Sequence, residues 1–237
     1  MSTGEGHELL SEQRAFYRAR APEYDEWWQR RGRYGRGDAD RVEWAEEVAA
    51  IDAALDAFDA SGDVLELAGG TGWWTERLAA TANRLTVVDA SSETLALNQE
   101  RVQRPDIDYV VADLFRWQPG RTYDVVFFSF WLSHVPRNVF GAFWTLVRSC
   151  LSPGGRVFLI DSRTNPPEQA EVVEAPDPYV VNYGPDLQLR RLNDGSVYRV
   201  VKVLYEPAEL SARIEAEGWH TRIDGTRRFV FGSALPA

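Results

Sequence analysis

Asp63-Val64-Leu65-Glu66-Leu67-Ala68-Gly69-Gly70-Thr71-Gly72-Trp73-Trp74 is the stretch that decides the fold. An apolar run of strand length enters a cluster of three glycines and leaves it in a helical pattern spanning 73–82. Glycine turns sharply and lets a ligand lie against the main chain. A helix that starts there aims its free amide groups at the same point. The glycine turn alone is a weak signal; strand, turn and helix together predict a ligand site.

Outward from this unit the pattern repeats. Apolar strand runs at 84–89, 109–111, 123–129 and 156–161 alternate with helical patterns, one opened by Ser91-Ser92-Glu93 with serine as cap and one over 136–151 stopped by Ser152-Pro153-Gly154-Gly155. Strict alternation predicts an α/β, doubly wound, mostly parallel sheet with helices on both faces. The strands are continuous apolar runs, as strands buried on both sides require. Upstream, 1–7 is small and polar and predicts an irregular tail. Helical spacing follows over 9–28, an arginine-rich loop over 31–40 and an amphipathic helix over 42–58. Downstream, 165–186 is rich in proline and reads as a long loop. Asn193-Asp194-Gly195 then centres a hairpin, 206–217 is a helix, and 220–223 with 228–231 form an antiparallel pair. We expect one globular domain: a helical cap or lid over 1–59 and a core over 60–237 that carries an acceptor-side insertion at 165–205.

Composition narrows the function. A net charge of −10 over 237 residues repels phosphate backbones and anionic lipid, so no nucleic-acid or membrane partner is expected. Arg30, Arg31, Arg33 and Arg36 form the best basic patch. The apolar runs at 125–128 and 157–160 fall far short of the ~20 residues of a membrane span, and no secretory signal is expected. Cys150 is the only cysteine. It excludes disulfides and cysteine metal clusters within one chain and sits in an apolar helical pattern, as a small buried hydrophobe does. A cytoplasmic location, no metal, and a monomer or homodimer are the corresponding expectations.

In open parallel sheets, ligands bind beyond the C-terminal strand ends, where strand order reverses. Asp89 ends the second strand and is placed to accept both hydroxyls of a ribose, or to cap the next helix. Asp113 follows the third, placed to accept an adenine amine with Leu114 and Phe115 against the ring, or to cap a short helix.

Taken in order, Glu66 to Gly72, Val88-Asp89-Ala90-Ser91, Ala112-Asp113-Leu114, Tyr123-Asp124-Val125-Val126 and Leu151-Ser152-Pro153-Gly154-Gly155 resemble the class I S-adenosylmethionine-dependent methyltransferases over 60–162. One departure is Ala68, where that family often has glycine. The resemblance implies a Rossmann-like seven-stranded sheet with its last strand antiparallel. It implies S-adenosylmethionine as cofactor and S-adenosylhomocysteine as product. Glu66, Ala68, Gly69, Gly70 and Gly72 would hold the methionine part, Asp89 and Ala90 the ribose, and Asp113, Leu114 and Phe115 the adenine, with Ser129 and Phe130 alongside. An N-terminal segment folds over the cofactor in related enzymes. Tyr17 and Tyr24 then meet the cofactor carboxylate and Trp28 offers a ring face to the sulfonium, unless these aromatics only pack the helices. His134 is placed as a general base, or as a packing histidine. Trp131, Asp161, Arg163, Tyr179, Tyr183 and Arg190 are the acceptor-side candidates, and arginine there suits an acidic small molecule or serves in a salt bridge. The alternatives are a non-catalytic S-adenosylmethionine-binding sensor or scaffold and an NAD(P)-dependent oxidoreductase. Bulky Trp73 and Trp74 stand where a pyrophosphate would need close backbone approach, which disfavours the latter.

Overall fold

The computed structural model describes residues 3–163, 180–182 and 186–237. A seven-stranded sheet forms its centre, built from β1 (Gly62–Leu67), β2 (Ala82–Asp89), β3 (Asp108–Val111), β4 (Tyr123–Ser129), β5 (Leu151–Ser162), β9 (Trp219–Gly225) and β10 (Phe229–Pro236). Their order is β3-β2-β1-β4-β5-β10-β9. Only β10, the last in sequence, runs antiparallel to its neighbours. From β1 the chain winds outward first to β2 and β3, then back to β4 and β5. The order therefore reverses between β1 and β4, and the crevice opens there.

Helices cover both faces. α3 (Asp38–Phe58), α4 (Trp73–Ala79) and α5 (Ser92–Val102) lie on one, α6 (Phe140–Ser149) and α7 (Pro207–Ala216) on the other. Strand periodicity sends alternate side chains to opposite faces. Along β4, Val125 and Phe127 join Ile51, Leu55 and Leu78, while Val126 and Phe128 join Phe143, Trp144 and Ile214. Every one of these β4 residues is buried, and burying such side chains contributes about 1.5–3 kcal/mol each. Ser91 caps α5 by accepting the Thr94 N–H at 3.1 Å, as its position predicts.

The N-terminus differs from expectation. α1 spans Thr3–Arg20, so the tail expected to be irregular over 1–7 is helical from Thr3, and α2 (Tyr24–Trp28) follows after a short 3-10 turn. The reason is tertiary. β7 (Leu187–Arg191) and β8 (Val197–Val201) form the expected hairpin, joined by β6 (Val180–Asn182) in a three-stranded sheet of order β6-β7-β8. That order leaves β8 as an edge, and α1 pairs it with side chains. Glu12 accepts Arg199 N at 2.6 Å and Arg199 Nε at 2.7 Å; Gln13 accepts Val201 N at 3.0 Å. The helix predicted over 136–151 is shorter, with a 3-10 turn at Arg137–Val139 ahead of α6, and the strand expected over 156–161 begins earlier, at Leu151. Tyr179, Tyr183 and most of the proline-rich stretch lie outside the described residues. Within them, no helix is long and apolar enough to cross a membrane.

Candidate active site

The glycine turn is built around Asn98 of α5, which is fully buried. Its Nδ2 donates to Gly69 O and Gly70 O, both at 3.2 Å, and to Thr75 Oγ1 at 2.7 Å. A Cβ on Gly69 would lie 2.3 Å from Val87 Cγ1, and one on Gly72, at φ +94°, would meet Asn98 at 2.9 Å. Only glycine fits at either position. Ala68 (φ +55°) and Phe130 (φ +51°) flank the crevice in the left-handed region, which costs a non-glycine residue about 1–2 kcal/mol. Glu66, beneath the turn, accepts Thr75 Oγ1 at 2.6 Å, while its Oε1 has no partner among the described residues. Burial pushes its carboxyl up to about 8.

A cavity opens beside the turn. It brings together Tyr17, Tyr24, Ala68, Gly70, Asp89, Ala90, Asp113, Leu114, Phe115, Ser129, Phe130, Trp131 and His134, residues the sequence had nominated from six separate segments. Gly69, Gly72 and Trp28 line a smaller adjoining cavity, shared with Tyr24 and Phe130. Asp89 takes Gly70 N at 3.0 Å on one oxygen and Ser91 N at 2.9 Å on the other, and burial raises its pKa. Each oxygen keeps a lone pair for a further donor. Asp113 accepts Phe115 N at 3.1 Å and Arg14 Nη1 at 3.0 Å. Two carboxylates with one arginine repel a pyrophosphate and suit an uncharged ribose and adenine beside a sulfonium.

His134 is buried, and both ring nitrogens are engaged. Nδ1 lies 2.7 Å from Val201 O, which only accepts, so Nδ1 carries the hydrogen. Nε2 lies 2.5 Å from Tyr17 Oη and accepts its hydroxyl. Burial, reinforced by the charge of Lys202, holds the imidazole well below its usual range, and burial raises the Tyr17 phenol. The pair is thus a neutral histidine behind a protonated tyrosine.

Beyond that pair lies a second chamber, walled by Tyr17, Tyr24, Phe130, His134, Arg20 and Lys202, with Arg190 and Ser162 at its far side. The sequence reading missed Arg20 and Lys202. Arg20, 7% exposed, rests 4.7 Å over the Tyr24 ring and makes no salt bridge among the described residues. Lys202 Nζ donates to Ser133 Oγ at 2.8 Å and stands 3.7 Å from Asp161. Burial presses its ammonium down to about 8. Asp161 is buried, accepts Ser133 N at 2.8 Å and backs Lys202. Arg163 stands in an outer cleft, bound to Glu206 at 2.7 Å. Two signals were present in the sequence. Leu10, Arg14, Tyr17, Ala21 and Tyr24 recur at helical spacing and all line the cavity beside the glycine turn. Lys202 is the only lysine among 26 Lys and Arg residues.

Comparison with known proteins agrees with this geometry. Residues 64–155 match the family model of a methyltransferase domain. The solved complex of DhpI with S-adenosylhomocysteine is 36% identical, covers 98% of each chain and superposes with a TM-score of 0.75. Nodulation protein S of Azorhizobium caulinodans is 32% identical over 99 residues, 41% of this chain and 48% of its own, so the match spans about half the length of that relative. The N-methyltransferase NodS of Bradyrhizobium japonicum WM9, solved with S-adenosylhomocysteine, shares the fold at 14% identity, with a TM-score of 0.61 over 94% of this chain and 97% of its own. Strand order, glycine turn, paired acids and these likenesses together show that the chain belongs to the S-adenosylmethionine-dependent methyltransferases, with S-adenosylmethionine as cofactor and S-adenosylhomocysteine as product.

Proposed function

We propose that the whole chain transfers the methyl group of S-adenosylmethionine to an oxyanion of a small molecule seated in the chamber of Arg20 and Lys202. The observation that carries this reading is a pair of buried cations, only one of them close to a carboxylate among the described residues, in a chamber that shares Tyr17, Tyr24, Phe130 and His134 with the cavity beside the glycine turn. An uncompensated buried charge is costly, and an anionic ligand removes that cost. The same cations repel an ammonium acceptor.

The bound cofactor supplies a methyl on a sulfonium, which an in-line lone pair takes while the broken S–C pair returns to sulfur. The chain's own groups align the partners, and proximity supplies most of the acceleration. An oxyanion brings its lone pair ready, so no proton need be removed. His134 accordingly holds the Tyr17 hydroxyl at the junction of the two cavities rather than acting as a base. Asp89 receives the ribose and the Asp113–Arg14 pair closes the adenine end. α1 and α2 form the lid, fastened where Asp25 accepts Thr71 Oγ1 at 2.6 Å and Trp73 Nε1 at 3.0 Å and pairs with Arg101. Methylation cancels the acceptor's charge, weakening its hold on Lys202 and Arg20 and favouring release.

Lys202→Met tests this. One charge-assisted hydrogen bond is worth about 1.5–3 kcal/mol, so KM for an anionic acceptor is expected to rise roughly 10- to 100-fold with cofactor affinity unchanged. A loss of cofactor affinity instead would assign the two cations to the carboxylate of S-adenosylmethionine.

A further inference from the structure

Outside the acceptor chamber lies a cleft whose wall carries six arginines, Arg30, Arg36, Arg163, Arg190, Arg227 and Arg228, and, among the described residues, no carboxylate. Arginines normally bring their counter-charges with them, and the described acids that pair with these do not line the cleft. Asp40 pairs with Arg30 at 2.8 Å and with Arg228 at 2.9 Å, Glu43 with Arg227 at 3.0 Å, and Glu206 with Arg163 at 2.7 Å. These bridges fix the guanidinium forks in place before any ligand arrives. Arg30 is further held 4.6 Å over the Trp44 ring. Pairing does not exhaust the donors, because a guanidinium has more N–H groups than its carboxylate accepts. Arg228 keeps a buried Nε with no hydrogen-bond partner among the described residues.

The cleft adjoins the acceptor chamber, since Trp27, Ser162 and Arg190 line both. Its remaining wall is aromatic, from Tyr34, Trp44 and Phe229. A molecule leaving the inner chamber passes Arg190 and enters a preorganised array of planar donors of the kind that binds carboxylates and phosphates in bidentate fashion.

We infer that this cleft is a second oxyanion subsite, and that the acceptor is an elongated molecule with two separated anionic groups. The inner group is methylated and the outer one, a carboxylate or phosphate, is held by the arginine wall. This rests on the anionic reading of the inner chamber. The outer subsite selects for length and for charge at the far end, which the inner chamber alone cannot do.

The probes are α,ω-dicarboxylates from succinate to suberate, each compared with the monocarboxylate of the same chain length. Binding is measured by calorimetry on protein saturated with S-adenosylhomocysteine. At the spacing that bridges the two subsites, the dicarboxylate is expected to bind about tenfold more tightly or better. That advantage is expected to vanish in an Arg36→Gln/Arg227→Gln variant that retains its circular dichroism and its affinity for S-adenosylhomocysteine; Arg227→Gln alone serves if the double variant does not fold. The inference is overturned if no dicarboxylate outbinds its monocarboxylate partner, or if the advantage survives in the variant. Lys202→Met tells the two readings apart. It weakens mono- and dicarboxylates alike if the inner reading holds, and monocarboxylate binding indifferent to it marks failure of the inner reading.

Discussion

Ala68 and Glu66 are neighbours in the same turn, and they carry opposite kinds of cost. Ala68 is the one position where the turn departs from the glycine common in related enzymes, and its φ of +55° is the conformation that makes glycine common there. Ala68→Gly removes the left-handed penalty but loosens the unfolded chain, so we expect a change in stability within about 1 kcal/mol and unchanged affinity for S-adenosylhomocysteine, by thermal melts and calorimetry. Glu66 is a buried carboxyl held mostly protonated. Its folded pKa, about 8, stands above the ordinary carboxyl value of 4.5. The stability it contributes is therefore complete below the ordinary value and is lost as pH rises through the folded one. Glu66→Gln cannot ionise. It should match the parent near pH 5 (about the carboxyl range) and exceed it above pH 8 by a few kcal/mol (order of magnitude). Parallel melting curves against pH would show that Glu66 is not neutral. Lys202 gives the matching signature in kinetics. Asp161 attracts its proton while Arg190 and Arg20 repel it, and burial holds it at about 8. The acceptor KM should therefore climb above that pH in the parent and stay high and flat in Lys202→Met.

At the scale of elements, much was legible where the code is local. The turn from Gly69 to Gly72, the strand-end acids Asp89 and Asp113, and the cap at Ser91 follow from residue type and spacing, and the structure brings them to one cavity. What escaped was built by tertiary pairing. Arg14 reaches Asp113 across 99 positions, and Gln13 reaches Val201 across 188. Lys202 follows β8, and no neighbour in sequence announces that a helix 180 positions away will cover it. The tail expected to be irregular over 1–7 is helical from Thr3, and the helix it opens meets the edge of β8 through Glu12 and Gln13. The latch at Asp25 belongs to this scale too. It ties α2 to Thr71, Trp73 and Arg101, which itself donates to Thr71 O at 2.8 Å. Asp25→Asn keeps the shape and removes the charge. It should weaken S-adenosylmethionine binding about tenfold, one charge-assisted bond's worth, with faster amide hydrogen exchange in α2 and no change in β4. Unaltered exchange in α2 would mean that the latch does not hold the lid.

Over the whole molecule, the cavities form a series. The acids Asp89 and Asp113 line the first, the buried cations Arg20 and Lys202 the second, and an arginine wall the third. In the proposed reading, charge changes sign along the path from cofactor to acceptor while the net charge of the chain is −10. An acidic surface with a basic interior repels anions in general and retains those that fit. The sheet explains why the first cavity lies where it does, since the strand order reverses between the adjacent strands β1 and β4. The most direct test follows the methyl group itself. The protein is incubated with deuteriomethyl S-adenosylmethionine and a metabolite extract separated by anion exchange into anionic, neutral and cationic fractions, and label is located by mass spectrometry. The expected result is label on oxygen in molecules drawn from the anionic fraction, strongly reduced with Lys202→Met. Label found only on amines of the cationic fraction, at equal levels with Lys202→Met, would contradict the account.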